Sequence, residues 1–193
     1  MGKPGDKMKV VIAGGGTAGW LAAAALARQL GEALDITLVE SEEIGTVGVG
    51  EATIPPMRTF HRLLRIDEQE FLRATHATFK LGIQFENWKK DGEKYFHSFG
   101  VTGKETIVTE FLHFWLRGRE LDIAGEFGDY CFEYKAAMEN RFSTQCETKI
   151  NYAFHLDAGL YASYLRKISE SHGVKREEGK IEQVLQDPSS GFI

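Results

Sequence analysis

The stretch Lys9-Val10-Val11-Ile12-Ala13-Gly14-Gly15-Gly16-Thr17-Ala18-Gly19-Trp20 decides the fold. Val and Ile over Lys9–Ala13 predict a short buried strand, and Gly14–Gly19 a turn. Ala and Leu over Ala18–Leu30 predict a helix, with Gly31 as its stop signal. Asp35–Glu40 predicts a second strand, with Ile36, Leu38 and Val39 as its apolar content. Strand, glycine turn, helix and strand within about thirty residues form the opening unit of a doubly wound parallel sheet. In Gly14-x-Gly16-x-x-Gly19, the first glycine permits a tight turn and the second lets backbone approach a pyrophosphate. The third lets helix pack on strand, and the helix N-terminus attracts phosphate charge. Glu40 closes the second strand, twenty-one positions beyond Gly19, where a carboxylate can accept hydrogen bonds from a ribose diol. It suits the adenosine ribose of FAD and of NAD equally. The plain alternative is a glycine turn that only joins strand to helix.

Outward from this unit, Val10–Ala27 holds eighteen residues without a charge, preceded by Lys3, Lys7 and Lys9. A leader or short membrane span would look similar, but the glycines interrupt the run at spacings an insertion segment does not need. Ten of the 21 glycines fall in the first fifty residues. The 193-residue chain is 42% hydrophobic and 26% charged, which excludes disorder, collagen and coiled coil as overall descriptions. A net charge of −5 disfavours nucleic-acid binding. Cys131 and Cys146 make neither a disulfide framework nor a metal box, and point to a reducing, cytoplasmic compartment. The six His lack metal-ligand spacing, so no metal is expected.

Further along, a Gly-rich loop runs from Gly45 to Pro56, and a helix is expected to begin near Pro56. Asp67 and Glu70 form a capping-box-like pair for a helix over Ile66–Thr75. Ala77–Glu86 alternates as one strand: Ala77, Phe79, Leu81, Ile83 and Phe85 on the core face, Lys80 on the polar face. Lys80 so placed can project into a cavity or stand exposed on a sheet edge. Residues 79–134 carry thirteen of the 22 aromatics, and Trp88, Phe111, Phe114 and Trp115 read as core. His97 and Phe99 lie two apart in an apparent strand and so share a face. Asp157–His172 reads as a helix capped by Asp157, with Leu160, Tyr161, Tyr164, Leu165 and Ile168 as its apolar face. Ile181–Ile193 reads as a hairpin around Asp187–Gly191 that stops two residues into its second arm.

Gly48-Val49-Gly50-Glu51-Ala52-Thr53-Ile54-Pro55 and Thr78-Phe79-Lys80-Leu81-Gly82, with the glycine fingerprint, resemble the flavin-dependent tryptophan halogenases. The likeness extends over Tyr95–Phe99 and over Phe154–Ala158, taken as a helix start. It implies an α/β fold: a Rossmann-like FAD-binding domain of the flavin-monooxygenase type, incomplete in this chain, with an added β-rich substrate-side region. Residues 1–56 would form the dinucleotide-binding βαβ unit and flavin loop. Residues 57–150 would carry the catalytic lysine and aromatic region, and residues 151–193 would return to the FAD domain. It further implies that reduced FAD, O2 and halide give hypohalous acid, and that a separate flavin reductase supplies the reduced FAD.

By this resemblance Lys80 is the catalytic lysine, directing the oxidant to an electron-rich ring through a hydrogen bond or a haloamine. Gly14, Gly16, Thr17, Ala18, Gly19 and Glu40 would bind the cofactor at the fingerprint, and Val49, Gly50, Glu51, Ala52 and Thr53 along the flavin. His97 and Phe99 would sandwich a flat aromatic substrate, with a core Phe and a half-buried His as the plain alternative. Expected partners are the reductase, an aromatic small molecule (tryptophan or another indole or phenol) and, as an assembly option, a second copy in a homodimer. No nucleic acid or membrane is expected. The family's Trp-x-Trp-x-Ile-Pro motif has no counterpart among Trp20, Trp88 and Trp115. The family's active-site Glu and halide site also come later in its sequences. The chain is therefore expected to be the N-terminal portion of a halogenase and inactive alone. A related hydroxylating monooxygenase and a non-catalytic nucleotide-binding fragment are the alternatives.

Overall fold

A computed structural model describes residues 7–44, 49–145 and 147–193. Gly45 and Gly48 of the glycine-rich loop, Lys3 and Cys146 lie outside the described residues. In chain order the elements are β1 (Met8–Ala13), α1 (Thr17–Leu30), β2 (Leu34–Glu40), β3 (Gly50–Ala52), α2 (Pro56–Leu63), α3 (Glu68–Thr75) and β4 (Thr78–Lys80). There follow β5 (Gly82–Glu86), β6 (Lys94–Ser98), α4 (Phe111–Glu120), a 3-10 turn (Phe127–Tyr130), α5 (Phe132–Met138), β7 (Ala153–Asp157), α6 (Ala158–Ser171) and β8 (Lys175–Glu178). The sheets are ordered β1–β2–β8, β3–β7–β4 and β5–β6.

The chain divides into two compact units, one of Met1–Glu51, Thr59–Thr78 and Leu156–Ile193, the other of Ala52–Arg58 and Phe79–His155. In the first, β1 and β8 both run parallel to β2. This is the strand–helix–strand opening read from the sequence, extended by one strand. Helix α1 buries Trp20, Ala23, Ala24 and Ala27, one face at helical spacing, and packs on α6. Three alanines on that face let the two helix backbones come close. Helix α6 answers with Ala158, Tyr161, Ala162, Tyr164 and Leu165, and also meets α3. Between them His61 lies 5% exposed. Its Nε2 is 2.7 Å from Tyr161 Oη, and its ring stands edge-on to Phe71 at 4.5 Å. Burial pulls the His61 pKa down to about 4 and pushes that of Tyr161 up.

The caps follow local chemistry. Asp67 accepts from the Glu70 amide, and Asp157 accepts from the Leu160 amide. The α3 helix begins at Glu68, two residues later than expected, because Asp67 stands in extended conformation as its cap. Asp157 likewise ends β7 before α6 begins, so Phe154–Ala158 is mostly strand rather than helix start.

The second unit holds the hairpin β5–β6, with Ile83 opposite His97 and Phe85 opposite Tyr95, packed against α5. Phe79 stacks on Phe142 at 3.8 Å and meets Tyr152 edge-on.

Four further expectations are corrected, and one strand appears that the sequence did not announce. Ala77–Glu86 is two strands, not one: β4 belongs to the β3–β7–β4 sheet and β5 pairs with β6, so the chain changes sheets at Leu81. The alternation fails at that break, and Lys80 and Leu81 are both buried. Among the described residues β1 pairs only with β2, and Val11 is exposed. Trp88 is 74% exposed and Phe114 is exposed on α4, which buries no residue, so the aromatic run is not wholly core. In Ile181–Ile193 the Asp187–Gly191 turn forms, closed by Asp187 N to Phe192 O, but no strands flank it. The third parallel strand is instead Lys175–Glu178, which nothing in its charged composition announces.

Candidate functional sites

In the first unit, Gly14–Gly16, β2 and α6 enclose a cavity of about 400 Å³ with Glu40 in its wall. The glycines divide the work. Gly14 takes φ +108°, the left-handed region that favours glycine. A Cβ on Gly19 would strike the Gly14 carbonyl, so only glycine lets α1 come this near the turn. A Cβ on Gly16 would meet nothing within 4 Å, which leaves that backbone open to a ligand. Gly16 is also the N-cap of α1, no side chain caps that end, and its first turn carries no acidic residue. The helix therefore presents free amide donors and the positive end of its dipole. Thr17 and Ala18 belong to that turn, with Thr17 Oγ1 donating to Ala158 O at 3.4 Å.

Glu40 is not a free carboxylate. Its Oε1 accepts from Arg176 Nε at 2.6 Å and lies 3.7 Å from Arg166 Nη1, and its Oε2 accepts from Trp20 Nε1 at 3.2 Å. Arg176 also reaches Glu42 at 3.0 Å and touches Glu178. Glu40 holds the Arg176 guanidinium above its usual range, and the Glu42 amide donating to Glu178 holds that carboxyl below its own. Sequence reading found Glu40 but none of its partners. The signal available was Arg176 alone, in a run of charges. A row of amide donors, an open glycine and a fixed carboxylate acceptor fit a dinucleotide's pyrophosphate and ribose diol.

The residues expected to lie along the flavin fall in both units. In the first, Val49 O accepts from Ala158 N at 3.1 Å, Gly50 has open space where a side chain would be, and Glu51 lies near enough to Tyr161 to raise its pKa further. In the second, Ala52 is exposed at the end of β3. Thr53 is buried and doubly tied to Phe154: its Oγ1 donates to Phe154 O at 3.1 Å and accepts from Phe154 N at 2.9 Å.

Thr53 also anchors the lysine. Lys80 Nζ donates to Thr53 O at 3.1 Å and stands 5.4 Å from the Phe99 ring centre. Lys80 is 9% exposed, and burial lowers its pKa. It lines a cavity of about 350 Å³ with Phe79, Phe96, Arg141, Phe142 and His155. Desolvation, and then the positive charge of Lys80, hold the His155 imidazole below its usual range. Of the two expected substrate residues, Phe99 comes to the lysine. His97 is exposed on β6, and the strand ends at Ser98, so the shared-face argument stops one residue short of Phe99. Phe142, Arg141 and His155 were missed because they reach the lysine from about sixty or more residues away along the chain. Long-range pairing of this kind leaves no local periodicity.

Among the described residues no helix is long and apolar enough to cross a membrane, and no cluster of His, Cys, Asp or Glu could hold a metal ion.

The tryptophan halogenase family profile matches residues 9–193. The chain is 36% identical to the tryptophan 7-halogenase RebH of Lentzea aerocolonigenes, over 95% of this chain and 38% of RebH. It is 32% identical to the tryptophan 6-halogenase SttH of Streptomyces toxytricini, over 93% of this chain and 39% of SttH. Among solved structures, Xcc4156, a flavin-dependent halogenase from Xanthomonas campestris, superposes with a TM-score of 0.91 at 58% identity, covering 96% of this chain and 38% of that one. BrvH, a flavin-dependent halogenase from Brevundimonas sp. BAL3, gives 0.84 at 37% identity, covering 98% and 39%. The chain thus spans less than two fifths of the length of these relatives.

Proposed function

Since the chain belongs to the tryptophan halogenase family, we propose that it is the cofactor- and lysine-bearing portion of an FAD-dependent halogenase. The substrate class is an electron-rich aromatic ring: tryptophan or another indole or phenol. Bound reduced FAD, supplied by a separate reductase in the cytoplasm, would with O2 and halide furnish hypohalous acid. Gly16, Thr17, Ala18 and Gly19 would hold the pyrophosphate, Glu40 the ribose, and Val49–Thr53 would run along the flavin.

The observation that carries the reading is the state of Lys80: buried, its Nζ on a carbonyl, in a cavity walled by Phe79, Phe96 and Phe142. A carbonyl fixes the direction of the amine without neutralising it, as a carboxylate would. The remaining Nζ hydrogens, or the lone pair once burial has favoured the neutral amine, can meet the oxidant. Halogen then passes to a ring carbon and the ring gives up its proton. Phe99 supplies a face on which a flat substrate can stack.

The test is Lys80→Ala in the full-length protein with reduced FAD, O2, chloride or bromide, and tryptophan. Halogenated product is expected to vanish while flavin oxidation and peroxide release continue. Product at the normal rate would remove Lys80 from its role, and hydroxylated product in the native protein would favour a monooxygenase.

A further inference from the structure

We infer that Arg176 is a positioning residue for the cofactor, fixing the Glu40 carboxylate in the orientation that receives the ribose diol. This rests on the reading that the first unit's cavity takes the adenosine end of FAD. Parallel pairing sets Arg176 opposite Leu38 and Glu178 opposite Glu40. The Arg176 side chain is 14% exposed and that of Glu40 is 16%, so neither is a freely solvated surface charge. The two anchors of Glu40 act on different oxygens and come from different elements. Arg176 Nε on β8 takes Oε1 at 2.6 Å, and Trp20 Nε1 on α1 takes Oε2 at 3.2 Å. Trp20 is itself fully buried, so its donor cannot swing away. Two donors on opposite oxygens fix the plane of a carboxylate, where one would leave it free to rotate.

A carboxylate has about four lone-pair positions. The two anchors leave one acceptor position on each oxygen, and Glu40 lines the cavity. A diol offers two O–H donors at matching separation. An acceptor held in place beforehand loses no rotamer freedom when the ligand arrives. Arg176 also stands among Glu40, Glu42 and Glu178. Without the cation, Glu40 would lose its Oε1 anchor and would face Glu42 and Glu178 with only Arg166, 3.7 Å from Oε1, to offset their charge. Lysine at this position would keep the charge but not the fork that reaches Glu40 through Nε and Glu42 through Nη2.

The competing role is a purely structural tie between β8 and β2, and FAD affinity separates the two. In the full-length protein, FAD dissociation constants would be read from flavin fluorescence for Arg176→Gln, Arg176→Lys, Glu40→Gln and the double variant Arg176→Gln/Glu40→Gln. Urea midpoints would be measured alongside. Arg176→Gln is expected to weaken FAD binding about tenfold, the scale of one charge-assisted hydrogen bond. Arg176→Lys should fall between it and the native protein, and the double variant should be no weaker than Glu40→Gln alone. Losses that add in the double variant, or a lowered midpoint with native FAD affinity, would overturn the inference. If Glu40→Gln leaves FAD affinity unchanged, the ribose reading of the cavity fails and this inference with it. If Arg176→Gln does not fold, Arg176→Lys carries the same cycle.

Discussion

A buried histidine facing a tyrosine hydroxyl sets a measurable acid limit on this molecule. Folding holds His61 neutral at a pKa of about 4, whereas the unfolded chain protonates it near 6.5. Below pH 6.5 the unfolded state therefore binds the extra proton. The stabilisation present above that pH declines as pH falls toward 4, by roughly 3 kcal/mol in all. Urea midpoints of the full-length protein are expected to drop across that window, and His61→Gln should flatten the drop while lowering stability at pH 7. An unchanged slope in the variant would place the acid sensitivity elsewhere. Lys80 shows what a residue reveals of itself. Its type and neighbours were plain in Thr78–Gly82, but its burial was not, because the two-residue alternation assigned it to a polar face. The change of sheet at Leu81 breaks that alternation, and Lys80 and Leu81 are both buried.

At the scale of elements, legibility follows sequence distance. The β1–α1–β2 unit was read from short-range pattern because its signals (a Val and Ile run, a glycine turn, an Ala face) are local. Strand β8 was not, because Lys175–Glu178 has no apolar residue and becomes a strand only by pairing with β2, some 135 or more residues earlier. Gly16 and Gly19 of the α1 turn predict opposite phenotypes. Gly19→Ala drives a methyl into the Gly14 carbonyl and is expected to cost about 1–3 kcal/mol in urea unfolding. Gly16→Ala enters open space, so it should change stability by less than about 1 kcal/mol while weakening FAD binding by fluorescence titration. Equal stability losses in both would contradict the division of roles drawn from the backbone.

At the scale of the whole molecule, the chain holds a glycine turn, a carboxylate in a cavity wall and a buried amine, the burial of the last hidden from local sequence. It spans under two fifths of the length of RebH and SttH. The 193-residue chain, given reduced FAD, O2, halide and tryptophan, is expected to yield no halogenated product by mass spectrometry, while the full-length protein does. Product from the short chain would mean that the aromatic cavity around Lys80 suffices.

Gly15, between the first two glycines of the fingerprint, carries a consequence for anyone diversifying this turn. A Cβ on Gly15 would overlap the Glu40 carboxylate, Oε2 first. Positions 15 and 40 therefore share one space. A combinatorial library that randomises the glycine turn while keeping Glu40 will discard every side chain at 15. One that shortens residue 40 removes the carboxylate overlap but keeps the residue-40 Cβ 2.6 Å from the added atom, so position 15 stays closed unless the backbone shifts.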